Sequence, residues 1–210
     1  MAAAENSTEA LLDLAGRGDD AARELLFARH RARLKRMVAA RIDGRLAARI
    51  DPSDVVQETL FEASRKLPDY VRDPALPFYP WLRQLAWKRL YDLSEKHIHS
   101  QKRSILREER DNFHLSDESV QQLANRLMSS GTSPSRRMMR SELLGRVRVA
   151  LEKLASRDRE VLVMRHLEQM SISEIAAILG IDEGATKQRQ TRALVKLQGL
   201  LANESGEERR

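Results

Sequence analysis

Apolar positions along this chain recur at steps of three and four and almost nowhere alternate, the signature of amphipathic helices and not of strands. Leu34, Met37, Val38 and Ile42 form one such run, and Val55, Val56, Thr59, Leu60, Ala63 and Leu67 form a second. Asp51-Pro52 marks the start of the second helix, because Asp accepts bonds from free amides and Pro at the first helical position forfeits none. Pro68, Pro74, Pro77 and Pro80 then crowd into thirteen residues, which predicts a stiff, non-helical connection after Leu67. A further helix is predicted from about Pro80 to about Lys96. Leu144, Val147, Leu151 and Leu154 open a second helical unit that reaches about Ala202, beyond which a Glu/Arg-rich tail is expected to fray. The polar stretch between, with Ser129-Ser130-Gly131-Thr132-Ser133-Pro134-Ser135 inside it, has linker composition. The predicted fold class is all-α: two small helical domains, 1–100 and 141–210, joined by a flexible linker over 101–140.

Helix punctuation is densest in the second domain. Ser156 is a candidate cap for a helix through about Leu167. Ser171 followed by Glu174 fits a capping box, Ile175, Ala176 and Leu179 point a short helix inward, and Gly180 stops it. Asp182 is placed to cap a last helix whose buried side is Ala193, Leu194, Leu197 and Leu201. A short helix, a turn with glycine and a longer helix make a helix-turn-helix, which aims the second helix at a major groove. Its outward residues Lys187, Gln188, Thr191 and Arg192 offer hydrogen-bond donors suited to phosphates, guanine and adenine. A basic face alone also describes ordinary solvated surface; the short helix and glycine turn before it favour DNA.

Composition narrows the chemistry. Of 210 residues, 41% are hydrophobic and 32% charged, with no run near the roughly 18 apolar residues that span a membrane and no signal-peptide layout. Neither secretion nor membrane insertion is expected, and a cytoplasmic location is. Cysteine is absent, which removes disulfides, thiolate metal sites and a cysteine nucleophile. The five histidines lack ligand spacing and are expected to be solvated or loosely packed, and neither a glycine-rich phosphate loop nor GxSxG occurs. No enzyme activity, metal, cofactor or small-molecule substrate is therefore expected. A net charge of +6 makes a polyanion partner plausible, although the excess is spread along the chain.

Aromatic residues are rare but concentrated. Of nine, Tyr70, Phe78, Tyr79, Trp81, Trp87 and Tyr91 fall within 22 positions. Mixed with Lys88 and Arg89, such rings suit the stacking of unpaired bases along a phosphate backbone, at roughly 1–3 kcal/mol per stacked base; closing the end of a small core is the competing explanation. Asp54, Glu58 and Glu62 repeat at four-residue steps with Gln57 and Phe61 beside them. DNA would repel that stripe, so it suits a basic protein helix, or simply solvent.

These residues resemble the extracytoplasmic-function (ECF) class of bacterial RNA polymerase sigma factors from about Leu11 to Leu201. The resemblance rests on Asp54-Val55-Val56-Gln57-Glu58-Thr59, on Phe78-Tyr79-Pro80-Trp81-Leu82, and on the stretch from Ser173-Glu174-Ile175-Ala176 through Gly184-Ala185-Thr186-Lys187-Gln188-Arg189 to Arg192-Ala193-Leu194. It implies that Asp54, Gln57 and Glu58 bind core RNA polymerase. It implies that Tyr70, Phe78, Tyr79, Trp81, Lys88 and Arg89 take the unwound minus-ten strand of promoter DNA, and that Lys187, Gln188, Arg189, Thr191 and Arg192 read the minus-thirty-five duplex. An anti-sigma factor is a further partner that the resemblance suggests, and the linker would run through the polymerase and not fold. Lys88 stands where the family usually has Asn, and Thr186 and Gln190 stand where it usually has apolar residues. The rival reading is a dimeric helix-turn-helix regulator on double-stranded operators; an RNA-binding protein using the aromatic cluster is a third.

Overall fold

The computed structural model describes residues 7–42, 50–98, 115, 117–127 and 137–207. The regular structure among them is all helical, and the chain divides into two compact units, Met1–Ile105 and Leu106–Arg210. The Ser/Gly/Pro stretch 129–135 lies outside the described residues, as do 208–210 of the tail.

The first unit holds α1 (Thr8–Gly16), α2 (Asp20–Arg41), α3 (Pro52–Arg72) and α4 (Phe78–Ile98). Three of these start on side-chain caps: Ser7 Oγ accepts from the Ala10 amide, Asp19 Oδ1 from Ala22 and Asp51 Oδ1 from Ser53, each satisfying an amide that the first turn leaves unpaired. The core is built from Leu26, Leu34, Met37 and Val38 of α2, Val55, Val56 and Ala63 of α3, and Leu82, Ala86 and Leu90 of α4. Gly16 lets α1 meet α3: a Cβ there would sit 2.9 Å from Val71 Cγ1.

The proline-rich connection is shorter than the sequence predicts. Helix α3 continues through Pro68 to Arg72, and α4 already includes Pro80, so only 73–77 separate them. Proline inside a helix costs about 3 kcal/mol. Here Pro68 is on the exposed face, and the turn it would disrupt buries Leu67 and Tyr70, a gain of similar size. Tyr70 also donates its hydroxyl to the Leu76 carbonyl at 2.9 Å, fixing the loop beyond.

The second unit holds α5 (Asp117–Leu127), α6 (Arg137–Lys153), α7 (Ser156–His166), α8 (Ile172–Leu179) and α9 (Glu183–Glu207). Helix α5 falls within the stretch expected to be linker. It packs on α6 and α7, burying Leu115, Val120, Leu123 and Ala124, and Arg148 donates to the Leu115 carbonyl. The polar composition of 101–140 hid a short stripe at i, i+3, i+4 that a neighbouring helix covers. Ser156 also differs from expectation: Ala155 precedes α7 with no side-chain cap, and Ser156 is the first helical residue.

Candidate nucleic-acid and partner interfaces

Three surfaces carry the predicted residues. The first is the outer face of α3, where Asp54, Gln57, Glu58, Phe61 and Glu62, with Arg89 from α4, line an open groove. Asp54, Gln57 and Glu58 are exposed. Lys66 bonds Glu62 at 2.6 Å, and that bond, helped by the fields of Lys88 and Arg89 and opposed by partial burial, holds the Glu62 carboxyl below its ordinary value. Phe61 stands 69% exposed among these charges, an apolar ring available to a partner. The sequence carried the signal, since Phe61 falls outside the stripe formed by Val55, Val56, Thr59, Leu60, Ala63 and Leu67.

Arg89 is placed differently from its predicted role. The α4 residue expected to track single-stranded DNA forms an ion pair with Glu58, within the acidic groove. Its flank of α4 faces α3, and an acidic neighbour holds a guanidinium there.

The second surface is α4 itself. Tyr70, Phe78 and Tyr79 are buried, Tyr79 to 2% exposure, so their rings form core and not a stacking platform. Phe78 meets His30 and Tyr70 edge-on at 5.3 and 5.6 Å, and Tyr79 stacks on His30 at 5.9 Å beneath the Arg33 guanidinium. His30, expected to be solvated or loosely packed, is thus buried among these rings. Core closure, the competing explanation for these rings, is what α2 and α3 provide: His30 and Arg33 of α2 and Tyr70 of α3 pack on Phe78 and Tyr79. Trp81 remains half exposed, its ring stacked on Tyr70 at 4.4 Å. Lys88 is exposed two turns further on, with Gln84 exposed between them. Trp87 lies under Arg41 at 4.4 Å and beside Arg83 at 5.6 Å.

The third surface is the start of α9. Ser171 and Glu174 form the complete capping box at 3.1 and 2.8 Å, and Gly180 closes α8 in the left-handed region at φ 63°. Asp182 Oδ1 accepts from the Ala185 amide at 2.8 Å, and its carbonyl accepts the hydroxyl of the fully buried Thr186 at 3.0 Å. That bond satisfies the Thr186 hydroxyl on the packed side of α9; Gln190, half exposed, reaches solvent. Ala193 and Leu197 bury one side of α9, Lys196 bonds Asp158 of α7 at 2.7 Å, and Arg146 of α6 donates to the Leu201 carbonyl at 2.7 Å. With the helix held, Lys187, Gln188, Thr191 and Arg192 point to solvent and Arg189 is half exposed.

Among the described residues no group of three or more His, Asp or Glu is placed to hold a metal ion, and no helix is long and apolar enough to cross a membrane.

Residues 144–197, which include α7, α8 and most of α9, match the family model described as Sigma-70, region 4. The RNA polymerase sigma factor CnrH of Cupriavidus metallidurans is 31% identical over 201 residues, 96% of this chain and 97% of that protein. CarQ of Myxococcus xanthus, also an RNA polymerase sigma factor, is 30% identical over 85% of this chain and 88% of its own length. The ECF RNA polymerase sigma-E factor of Haemophilus influenzae is 26% identical over 88% of this chain and 90% of its own. A solved structure of CnrH in complex with the cytosolic domain of CnrY matches with a TM-score of 0.52 at 28% identity, covering 92% of this chain and 96% of that one.

Proposed function

The chain belongs to the ECF sigma factors of RNA polymerase, and we propose that its two units divide the work of promoter recognition. The first unit binds core polymerase through α3 and engages the unwound minus-ten strand through α4. The second reads the minus-thirty-five duplex with α9. Asp54, Gln57, Glu58 and Phe61 form the polymerase contact, in which an exposed ring supplies apolar burial and the carboxylates select a basic partner. Trp81 offers the outer face of its ring to a flipped base while Tyr70 supports the inner face, and Lys88 meets the adjacent backbone. Lys187, Gln188, Arg189, Thr191 and Arg192 contact the groove and phosphates. The chain catalyses no reaction: strand separation is driven by the free energy of holding unstacked bases together with polymerase contacts. It acts in the cytoplasm, and an anti-sigma protein is a further partner under this reading, since CnrH is seen with the cytosolic domain of CnrY.

The observation that carries the proposal is that α3 and α4, packed together, present an acidic groove around Phe61 and, separately, a half-exposed tryptophan stacked on Tyr70, which supports polymerase and single strand being held by adjacent helices. A dimeric operator-binding regulator, the other reading of the helix-turn-helix, leaves that groove and the whole-chain relatives without explanation. Run-off transcription with purified core enzyme on a genomic promoter library tests the reading, with permanganate footprinting of the recovered promoters. Specific transcripts and reactive thymines near position minus ten are expected, and Asp54→Arg abolishes both together with co-purification of polymerase. No promoter-dependent transcript from the unmutated chain refutes it.

A further inference from the structure

Among the described residues the second unit exposes two large apolar side chains, Val149 of α6 at 40% and Val195 of α9 at 61%. Val195 stands two residues from buried Ala193 on one side and from buried Leu197 on the other, which puts it on the opposite side of the helix. With Gln188, Thr191 and Arg192, all exposed, it completes the spacing i, i+3, i+4, i+7, so the four share one face. The helix itself does not call for valine there. A β-branched residue at an exposed helical position is a poorer helix former than Ala, Lys or Gln.

The polar residues of this face are partly committed to the helix they stand on. Thr191 Oγ1 donates to the Lys187 carbonyl at 3.1 Å, which turns the hydroxyl onto the backbone and leaves the methyl as its outward group. Arg192 Nε donates to the Gln188 carbonyl at 3.4 Å, which leaves the two terminal nitrogens of the guanidinium for a base or a phosphate. Thr191 and Val195, one turn apart, therefore form a small apolar strip beside the donors of Gln188 and Arg192. The surrounding charge indicates what covers it: from Gly184 to Asn203 the helix has Lys187, Arg189, Arg192 and Lys196 and no acidic residue. That balance suits a polyanion, whereas two short side chains give a protein partner little to bury.

Resting on the assignment of α9 to the minus-thirty-five duplex, we propose that Val195 and the Thr191 methyl read thymine in that element through its 5-methyl group. The thymine methyl is the one apolar substituent that a base pair displays in the major groove, and a side-chain methyl packed on it distinguishes T·A from the other pairs without a hydrogen bond. A helix advances about 1.5 Å per residue, so Val195 lies about 6 Å beyond Thr191. Base pairs stack about 3.4 Å apart, so the two methyl contacts fall about two base pairs from each other. Gln188 and Arg192 select purines by hydrogen bonds, and the strip adds discrimination where no hydrogen-bonding side chain stands.

The test uses the full chain assembled with core polymerase and duplex promoters recovered by run-off transcription. Each thymine of the upstream element, on either strand, is replaced singly by deoxyuridine, a change that removes only the methyl. Binding is measured for the unmutated chain, for Val195→Ala, and for Thr191→Ser, which keeps the hydroxyl and loses the methyl. With the unmutated chain, deoxyuridine weakens binding about fourfold at two positions, the equivalent of burying one methyl-sized group. Val195→Ala abolishes the effect at one of them and Thr191→Ser at the other, and core association is equal for all three chains. A deoxyuridine scan without effect overturns the proposal, as does an effect that persists undiminished in both variants. Weakened core association in Val195→Ala with the deoxyuridine effects intact overturns it in favour of a protein contact. Equal transcription by the unmutated chain from native and scrambled upstream elements refutes instead the assignment of α9 to that duplex, which separates the two failures.

Discussion

Tyr70 holds the loop between α3 and α4 and the ring of Trp81 at once, and the two functions separate by substitution. Its hydroxyl donates to the Leu76 carbonyl at 2.9 Å, while its ring stacks on Trp81 at 4.4 Å and meets Phe78 edge-on at 5.6 Å. Tyr70→Phe removes only the hydrogen bond, with a net worth of about 1 kcal/mol. Tyr70→Ala removes the ring from a buried position, and loss of a buried aromatic costs about 3–5 kcal/mol, including roughly 0.5–1.5 kcal/mol for each aromatic pair. Both tryptophans of the chain, Trp81 and Trp87, lie in the first unit, so tryptophan emission in a urea titration reports that unit without the second. The expected outcome is a small drop in midpoint for Phe and a drop about three to five times larger for Ala. At promoters, Phe preserves the stacked ring but frees the loop, and permanganate reactivity falls about fivefold, the equivalent of 1 kcal/mol. Equal stability of the unmutated protein and the Ala variant would refute the claim that this ring is core, and a Phe variant indistinguishable in both assays would refute the role of the Leu76 bond.

Other predictions are more local. Arg192→Ala leaves polymerase binding intact and loses roughly 1–3 kcal/mol of discrimination at one upstream base pair, read as the ratio of run-off transcript from the native and scrambled element. Gly180→Ala costs about 1–2 kcal/mol from the left-handed backbone alone, since no atom lies within 4 Å of the added Cβ; far-UV circular dichroism shows the second unit melting earlier, and Gly180→Asn recovers part of the loss. The Asp51 carboxyl is held below its ordinary value by the Ser53 amide, then the Ser53 hydroxyl and the charge of Lys35. Its folded form therefore binds a proton less readily than its unfolded form, so the stabilisation is present at neutral pH and lost as pH falls through the carboxylate range. Asp51→Asn flattens that acid limb of a stability–pH curve.

Which features were readable in the sequence follows from how far the deciding interactions reach. The capping box at Ser171 and Glu174, the Gly180 stop, the Asp182 cap and the Asp51-Pro52 start each depend on atoms within about four residues, and all appear in the structure where the pattern put them. The acidic stripe of α3 was legible for the same reason, because helical spacing alone puts Asp54, Glu58 and Glu62 on one face. Ser156 was misplaced by one position because many residues can begin a helix and nearby capping candidates compete. Helix α5 was missed because Val120, Leu123 and Ala124 form too short an apolar stripe to outweigh the polar composition around them.

The fate of the aromatic cluster was decided at longer range. Periodicity within α4 orders its side chains around the helix but leaves open which flanks the neighbouring helices cover. His30 and Arg33, some fifty residues earlier, close over Phe78 and Tyr79; Tyr70 backs Trp81; Glu58 captures Arg89. The amino-acid order by itself determined an all-helical chain, its helix-turn-helix and the residue types available to each face, since those depend on local hydrogen bonds and a fixed angular step. Only tertiary packing decided which rings became core and which stayed at the surface, because burial of a side chain is set by groups distant in sequence that close over it.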